Sequence, residues 1–458
     1  MRTDRFSALV FVCAFLLLGG VAEARSFSPG APGAGDPFFP FAGNGGYTVG
    51  HYDLTLAYRP ASKNLTGEVV IEAMATQDLS RFDLDLRGFS ISRVLVDGQP
   101  ATFARDGQEL VITPSVGLVD GLPFTVTVDY AGKPSVVTDP DGSIEGWVPT
   151  KDGAFVVGEP QGSPAWYPVN DTPRDKATYD FTVTVPRGLK VMANGVLLSR
   201  ATAAGKTTWR WRETDPMASY LSTVTLGRFD LTMSAVDGIP AYVAVDPVFV
   251  HRRVLAKLPA AIRFYSSIYG PYPFTAVGAV VDRAPSVGYS LETQTKPVFA
   301  YMPDEATFVH ELAHQWFGDS VTLAQWPDIW LHEGFATWSE WIWSEHEGGT
   351  TAHQTFVRLY RTPASARKFW DPPSGDPGVP ANLFVDSVYE RGAMTLQALR
   401  EKVGTRVFLG ILRDWAQQNR YGTVTTPEFI ALAERESGRD LGAFFQVWLY
   451  EPGKPVAW

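Results

Sequence analysis

Cysteine is nearly absent from this 458-residue sequence: Cys13 is the only one, and it lies in an apolar stretch that reads as a signal peptide. A chain without it can form no disulfide and offers no thiolate to a metal. Histidine is scarce as well, with seven residues, so any metal must be held by imidazole and carboxylate groups. Positive charge is outnumbered, since 39 Lys and Arg stand against 49 Asp and Glu for a net charge of -10. That balance excludes a nucleic-acid partner, because such proteins concentrate Lys and Arg on one face. Apolar residues are plentiful. They make up 45% of the chain against 19% charged, with 14 Trp, 17 Tyr and 28 Phe, which is material for two or three hydrophobic cores.

Arg2 and Arg5 precede an apolar run from Phe6 to Leu18, and Ala22-Glu23-Ala24 follows with the small-x-small pattern of a signal-peptidase site. The segment 1–24 is predicted to be a signal peptide cleaved after Ala24. That makes the mature protein secreted, periplasmic or extracellular and leaves no stable membrane span. An uncleaved anchor is the alternative, because the apolar run approaches a spanning length. Residues 25–46, rich in Gly, Pro and Phe, read as a flexible leader. From 47 to 232 short β-branched and aromatic runs alternate at period two, as in Tyr52-Asp53-Leu54-Thr55-Leu56 and Tyr179-Asp180-Phe181-Thr182-Val183. Turn signals such as Asp97-Gly98 and Asn194-Gly195 separate them, which predicts an antiparallel β domain. From 233 to 458 helical spacing dominates, for example Val254, Leu255, Leu258, Ile262 and Tyr265, with a strand pair expected around Ala276 to Val281 and Ser290 to Phe299.

His310-Glu311-Leu312-Ala313-His314 is the decisive pattern. On a helix each residue turns by about 100°, so His residues four apart lie roughly 40° from each other and both imidazoles can face one ion. Glu311 is offset between them and reaches water instead of the metal, the position of a general base. Phe308, Val309, Leu312, Ala313, Trp316 and Phe317 supply the apolar surroundings that bury such a helix and dry the site. Catalytic zinc takes three protein ligands and leaves one position open. The candidate third ligand is Glu333, nineteen residues after His314 in Trp330-Leu331-His332-Glu333-Gly334-Phe335-Ala336. Gly318, Asp319 and Pro327 let the chain leave the first helix and return in a second one beside it. His332 points about 100° away from Glu333 on that helix and is disfavoured as the ligand.

This arrangement resembles the gluzincin aminopeptidases, the family of aminopeptidase N and leukotriene hydrolase, over roughly Gly46 to Trp458. The resemblance implies a multidomain α+β fold: an antiparallel β-saddle domain followed by a thermolysin-like, mainly helical catalytic domain. It also implies one zinc ion held by His310, His314 and Glu333, and peptide substrates with a free N-terminus. Family members present an ammonium-binding Glu from a Gly-x-Met-Glu-Asn element on an edge strand. Val287-Gly288-Tyr289-Ser290-Leu291-Glu292-Thr293-Gln294 stands at that place, which makes Glu292 the expected anchor, although the Gly is displaced by one and Thr293 replaces Asn. Glu159, ahead of a loop running to Pro173, resembles the family's second anchor. Tyr389-Glu390-Arg391-Gly392-Ala393 is similar to the family's Tyr-x-Lys-Gly-Ala, with Arg for Lys, and implies that Tyr389 donates to the oxyanion. His332 stands where the family has Asn, and either tunes the metal or fills space. Asp319 and Asp328 are candidate hydrogen-bond partners for His310 or His314. Relatives usually continue into a large helical domain, whereas this chain stops soon after Tyr450, so a more open cleft is expected.

The implied reaction is removal of the N-terminal residue of a peptide, with Glu311 as base and Tyr389 as oxyanion donor. Two other readings compete. A thermolysin-like endopeptidase would need neither Glu159 nor Glu292, and a catalytically silent binding module would be expected to lose Glu311 or a ligand, all of which this sequence retains.

Overall fold

The computed structural model describes residues 25–456, and the signal-peptide reading of 1–24 lies outside them. Strands β1 (Tyr47–Arg59) and β2 (Asn64–Ala75) bury every second side chain, the consequence of period-two text laid on a sheet with one covered face. With β3 (Pro123–Gly132), β4 (Ala177–Pro186), β5 (Lys206–Met217) and three shorter strands they form an eight-stranded sheet. Its pairs are antiparallel except one: β1 and β4 run parallel, from His51 opposite Thr178 to Ala57 opposite Thr184. Residues between β3 and β4 make the long return that such a pair requires. On that return, a second, five-stranded sheet includes Ile144–Pro149 and Ala154–Val157, and Glu159 follows its strand end by two residues.

Residues 25–46, read from the sequence as a flexible leader, are tied down instead. Ser28–Pro29 pairs with the strand Leu79–Asp85. The Asp36 carboxylate is buried and accepts the Trp326 amide at 2.8 Å, while Phe39 packs edge-on against the Trp326 ring. Gly and Pro density marks irregular backbone, and irregular backbone is held when its polar groups find partners.

The second half opens with the hairpin β6 (Asp230–Val236) and β7 (Ile239–Val245), so the break placed at 232 falls inside β6. This hairpin adds to β8 (Val277–Val281), β10 (Val298–Phe299) and the edge strand β9 (Ser290–Leu291). β7, β8 and β10 are parallel and buried, as their continuous Val and Ala text requires. Helices α1 (Leu258–Tyr269), α2 (Glu305–Ala313), α3 (Trp330–His346), α4 (Ala352–Tyr360), α5 (Gly392–Val403), α6 (Thr405–Gln418) and α7 (Thr426–Ser437) pack on one another, and α2 also meets the edge strand β9. A π-turn, Ser387–Arg391, leads directly into α5.

Two contacts fix the geometry of the site. Helices α3 and α5 touch at Gly334 and Gly392, where a Cβ on either would stand 2.9 Å from the other's backbone. At the seam between the halves, Lys176 Nζ donates to the carbonyls of Asp319 and Ser320, both at 2.9 Å, and Asn194 Nδ2 donates to the Gln294 carbonyl at 2.7 Å. The cleft therefore has walls from both halves.

Candidate metal centre and amine pocket

Helix α2 starts where Asp304 accepts the Thr307 amide at 2.8 Å, a side-chain cap that satisfies one of the free N–H groups of the first turn. Its last turn carries His310 and Glu311, and His314 is its C-cap residue. The chain then turns at Gly318, φ +138°, where a Cβ would crowd His314 Nδ1 at 3.1 Å. The bare glycine leaves room for His314 Nδ1 to donate to the Phe317 carbonyl at 2.9 Å. A 3-10 turn, Trp326–Asp328, then feeds α3, whose first turn presents Glu333.

The three side chains meet. Nε2 of His310 lies 3.1 Å and Nε2 of His314 3.5 Å from the same Glu333 oxygen, Oε2. Outward, His310 Nδ1 donates to Glu340 Oε1 at 2.6 Å, so both rings have their Nδ1–H occupied and turn Nε2 inward. The donor set fits zinc: two imidazole nitrogens and one carboxylate oxygen, all buried, with donor atoms within 4.8 Å of one another and a cavity beside them. Glu340 went unread in the sequence, although it stands seven residues after Glu333, two turns along the same face of α3. The proposed partners were elsewhere. Asp319 Oδ2 accepts Gln315 Nε2 at 2.7 Å and Asp328 Oδ1 accepts the Thr426 hydroxyl at 2.6 Å, and neither meets a ring nitrogen of His310 or His314. Asp319 follows the turn at Gly318 and Asp328 closes the 3-10 turn before α3, and each faces the partner named instead of an imidazole.

The cavity measures about 460 Å³. Glu311, Tyr389, Glu292 and Glu159 all line it together with the triad. Burial pushes the Glu311 carboxyl up to about 8 against the pull of His310 and His314, which makes it a stronger base than an exposed glutamate. Tyr389 stands on the π-turn, half-buried, with its ring stacked on that of His310 at a centroid distance of 6.1 Å. Burial, followed by the Glu333 charge, holds its phenol well above the usual range, so the hydroxyl keeps its proton. The Gly334 and Gly392 contact sets the spacing between Glu333 and Tyr389, because each glycine lies within three residues of one of them.

Glu292 follows edge strand β9 directly, and Glu159 comes from the other half of the molecule. They are 2% and 7% exposed, and each has an oxygen without a hydrogen-bond partner. Burial raises both pKa values, and the charge of Glu292 adds to the rise at Glu159. Of the residues lining the cavity, six are acidic (Asp141, Glu159, Glu292, Glu311, Glu333 and Glu340) and none is Lys or Arg. Gln315, also missed in the sequence, clamps this strand to the zinc-ligand helix: its Nε2 donates to the Glu292 carbonyl at 3.0 Å and its Oε1 accepts the Thr295 amide at 2.8 Å.

Residues 49–221 match the Peptidase M1 N-terminal domain and residues 302–448 the Peptidase family M1 domain. Similar proteins include "Probable aminopeptidase 1" of Sulfurisphaera tokodaii, 24% identical over 409 residues and covering 83% of this chain and 50% of that protein. "Leucyl aminopeptidase" of Saccharolobus solfataricus is 25% identical over 441 residues, covering 89% of this chain and 54% of its own. The chain thus spans about half the length of these relatives. Among solved structures, a two-domain M1 zinc metallopeptidase bound to L-arginine superposes with a TM-score of 0.84 at 29% identity, covering 92% of this chain and 98% of the other. An M1 zinc metallopeptidase from Deinococcus radiodurans bound to a Tyr-Ser-Ala substrate gives 0.83 at 29%, covering 92% and 99%.

Proposed function

The chain belongs to peptidase family M1, and from that premise we propose that it is a zinc-dependent aminopeptidase that hydrolyses the first peptide bond of substrates with a free N-terminus. One observation carries the reading: two buried, incompletely partnered carboxylates, Glu159 and Glu292, border the same cavity as the His310, His314 and Glu333 triad. A buried carboxylate pair without a cation is unfavourable, and a substrate ammonium supplies one. An endopeptidase would have no use for it.

The roles follow from chemistry. His310, His314 and Glu333 would hold the zinc ion, which would supply Lewis acidity there. Glu311 takes the proton of the attacking water and returns it to the leaving amine. Tyr389 donates its hydroxyl to the oxygen on which negative charge develops. Glu292 and Glu159 fix the ammonium, which limits the register to the first peptide bond. The acidic lining favours cationic amino ends and disfavours acidic ones.

The test is a set of aminoacyl amides and their N-acetyl forms, assayed with zinc-loaded protein, metal-stripped protein and Glu311→Gln. Only free amines should be cleaved, only by the zinc-loaded wild type, with Glu311→Gln slower by roughly 10²- to 10⁴-fold. Equal cleavage of acetylated substrates would overturn the exopeptidase assignment in favour of an endopeptidase.

We also read residues 1–24 as an export signal, on the strength of Arg2, Arg5, the apolar run and Ala22-Glu23-Ala24. Among the described residues no helix is long and apolar enough to cross a membrane. Mass spectrometry of protein exported by its native host should find Arg25 first; an intact N-terminus would reject cleavage.

A further inference from the structure

One side chain joins the segments that carry Glu159 and Glu292. Tyr289 stands three residues before Glu292, immediately ahead of edge strand β9. Its carbonyl accepts the Ala300 amide at 3.4 Å, and the next residue, Ser290, pairs with Phe299 of β10. From there the side chain reaches into the β-rich half, where its hydroxyl donates to the Ile144 carbonyl at 3.0 Å. Ile144 opens the strand Ile144–Pro149, which pairs with Ala154–Val157, and Glu159 follows that second strand by two residues. Next to Ile144, Glu145 Oε1 accepts the Gln161 amide at 3.2 Å, just past Glu159. The tyrosine is therefore held at both ends, by its backbone in one half and by its hydroxyl in the other.

The same residue lines the cavity, half-buried, together with Glu159, Glu292 and, from the β-rich half, Asp141 and Ser143. The turn that carries those two is tied to itself. The Asp139 amide donates to the Ser143 carbonyl at 3.0 Å, and Asp141 Oδ1 accepts the Ser143 amide at 2.8 Å and its hydroxyl at 2.7 Å. Burial, then the charges of Glu145, Asp139, Glu159 and Asp141, hold the Tyr289 phenol well above the usual range. Glu159 is among those charges and the zinc ligands are not, whereas at Tyr389 the charge of Glu333 leads. Tyr389 thus stands beside the metal ligands and Tyr289 on the side of Glu159. In the register of Gly-x-Met-Glu-Asn, position 289 is the glycine, so this sequence places a ring where that element has no side chain.

We propose that Tyr289 determines which first residues the enzyme accepts: its ring, pinned between β9 and the Ile144 carbonyl, is the wall against which the first side chain packs, and it sets the upper size of that side chain. The ammonium and the first side chain of a peptide branch from one carbon, so the side chain starts next to whatever holds the ammonium. The inference rests on the aminopeptidase reading, which puts that ammonium at Glu159 and Glu292.

Zinc-loaded protein is assayed on two pairs of substrates, tryptophan amide against alanine amide and the dipeptide Leu-Trp against Leu-Ala. Tyr289→Ala removes the wall. The kcat/KM ratio of tryptophan amide to alanine amide should rise about tenfold or more, the scale on which a hydrophobic pocket discriminates. The ratio of Leu-Trp to Leu-Ala, which differ only beyond the scissile bond, should not move, and zinc content should equal that of wild type. A merely structural tyrosine would lower kcat/KM for all four substrates alike and leave both ratios where they were. That outcome overturns the proposal, as does a shift confined to the dipeptide pair, which would put Tyr289 on the far side of the bond.

Tyr289→Phe keeps the ring and gives up only the bond to Ile144. It should move the amide ratio in the same direction by a smaller factor, roughly two to ten for one lost hydrogen bond. Should Tyr289→Ala not fold, this variant decides, and a ratio equal to wild type overturns the proposal. Cleavage of N-acetyl substrates by wild type would sink the aminopeptidase reading. Unmoved amide ratios, with acetylated substrates still refused, would sink only the role of Tyr289.

Discussion

The metal centre and the proposed amine pocket share one cavity and are built in opposite ways. At the metal centre the outer nitrogens of His310 and His314 are occupied, and both inner nitrogens face one oxygen of Glu333. All three ligands come from two consecutive helices. In the proposed amine pocket Glu159 and Glu292 come from a loop of the β-rich half and the end of an edge strand, and each keeps a buried carboxylate oxygen without a partner. The first site is complete for an ion that stays. The second, on the proposed function, is left for the ammonium of a substrate.

The comparison can be broken at its strongest point first. Glu333→Ala should strip the ion, measured by elemental analysis, and take activity to background, whereas Glu292→Gln should keep the ion and lower kcat/KM for aminoacyl amides by roughly ten- to hundredfold. Equal zinc loss in both would abolish the distinction. Tyr389→Phe should lower kcat by about a hundredfold at unchanged zinc content, the scale of one lost oxyanion donor; turnover at the wild-type level would remove Tyr389 from the reaction. Gly334→Ala drives a methyl into the Gly392 backbone and should destabilise the fold by about 1–3 kcal/mol, read as a lower unfolding midpoint. It should also slow turnover, because α5 and the π-turn before it must shift.

The smallest effect sharpens the comparison away from the cleft. Glu109, 7% exposed, has both carboxylate oxygens unpartnered but borders no cavity of the active site. Burial, with Asp85 and Asp83 adding to it, pushes its pKa up to about 8. The folded state therefore holds this proton more tightly than the unfolded chain. The stabilisation is present at low pH and is lost as pH rises from the ordinary carboxylate range towards 8. Glu109→Gln should flatten that part of the stability curve in thermal melts between pH 5 and 8, and leave KM for aminoacyl amides unchanged. An identical slope in the variant would assign the dependence to other groups.

What was legible in the sequence is what local spacing controls. Two His four apart on a helix, and a Glu on the next helix, are placed by helical geometry, and the β-rich half announced itself by alternation. Residues whose position depends on tertiary approach were not readable in the same way. Glu340 reaches His310 because α2 and α3 cross, Gln315 reaches the Glu292 carbonyl because β9 lies over α2, and the parallel β1 and β4 pair depends on a long return. The leader was misread for the opposite reason: Gly and Pro report local backbone preference, whereas Asp36 and Phe39 are held by Trp326, almost three hundred residues away.

Arg391, two residues after Tyr389, is fully buried and meets no carboxylate. Its five N–H groups go to the carbonyls of Trp370, Val447, Trp448, Glu451 and Gly453. The guanidinium is thereby a knot that fastens the tail to the turn carrying the phenol. A lysine, with three donors on a point charge, would leave at least two of those oxygens dry. A break in the segment 447–453 would therefore be felt at the turn that carries Tyr389.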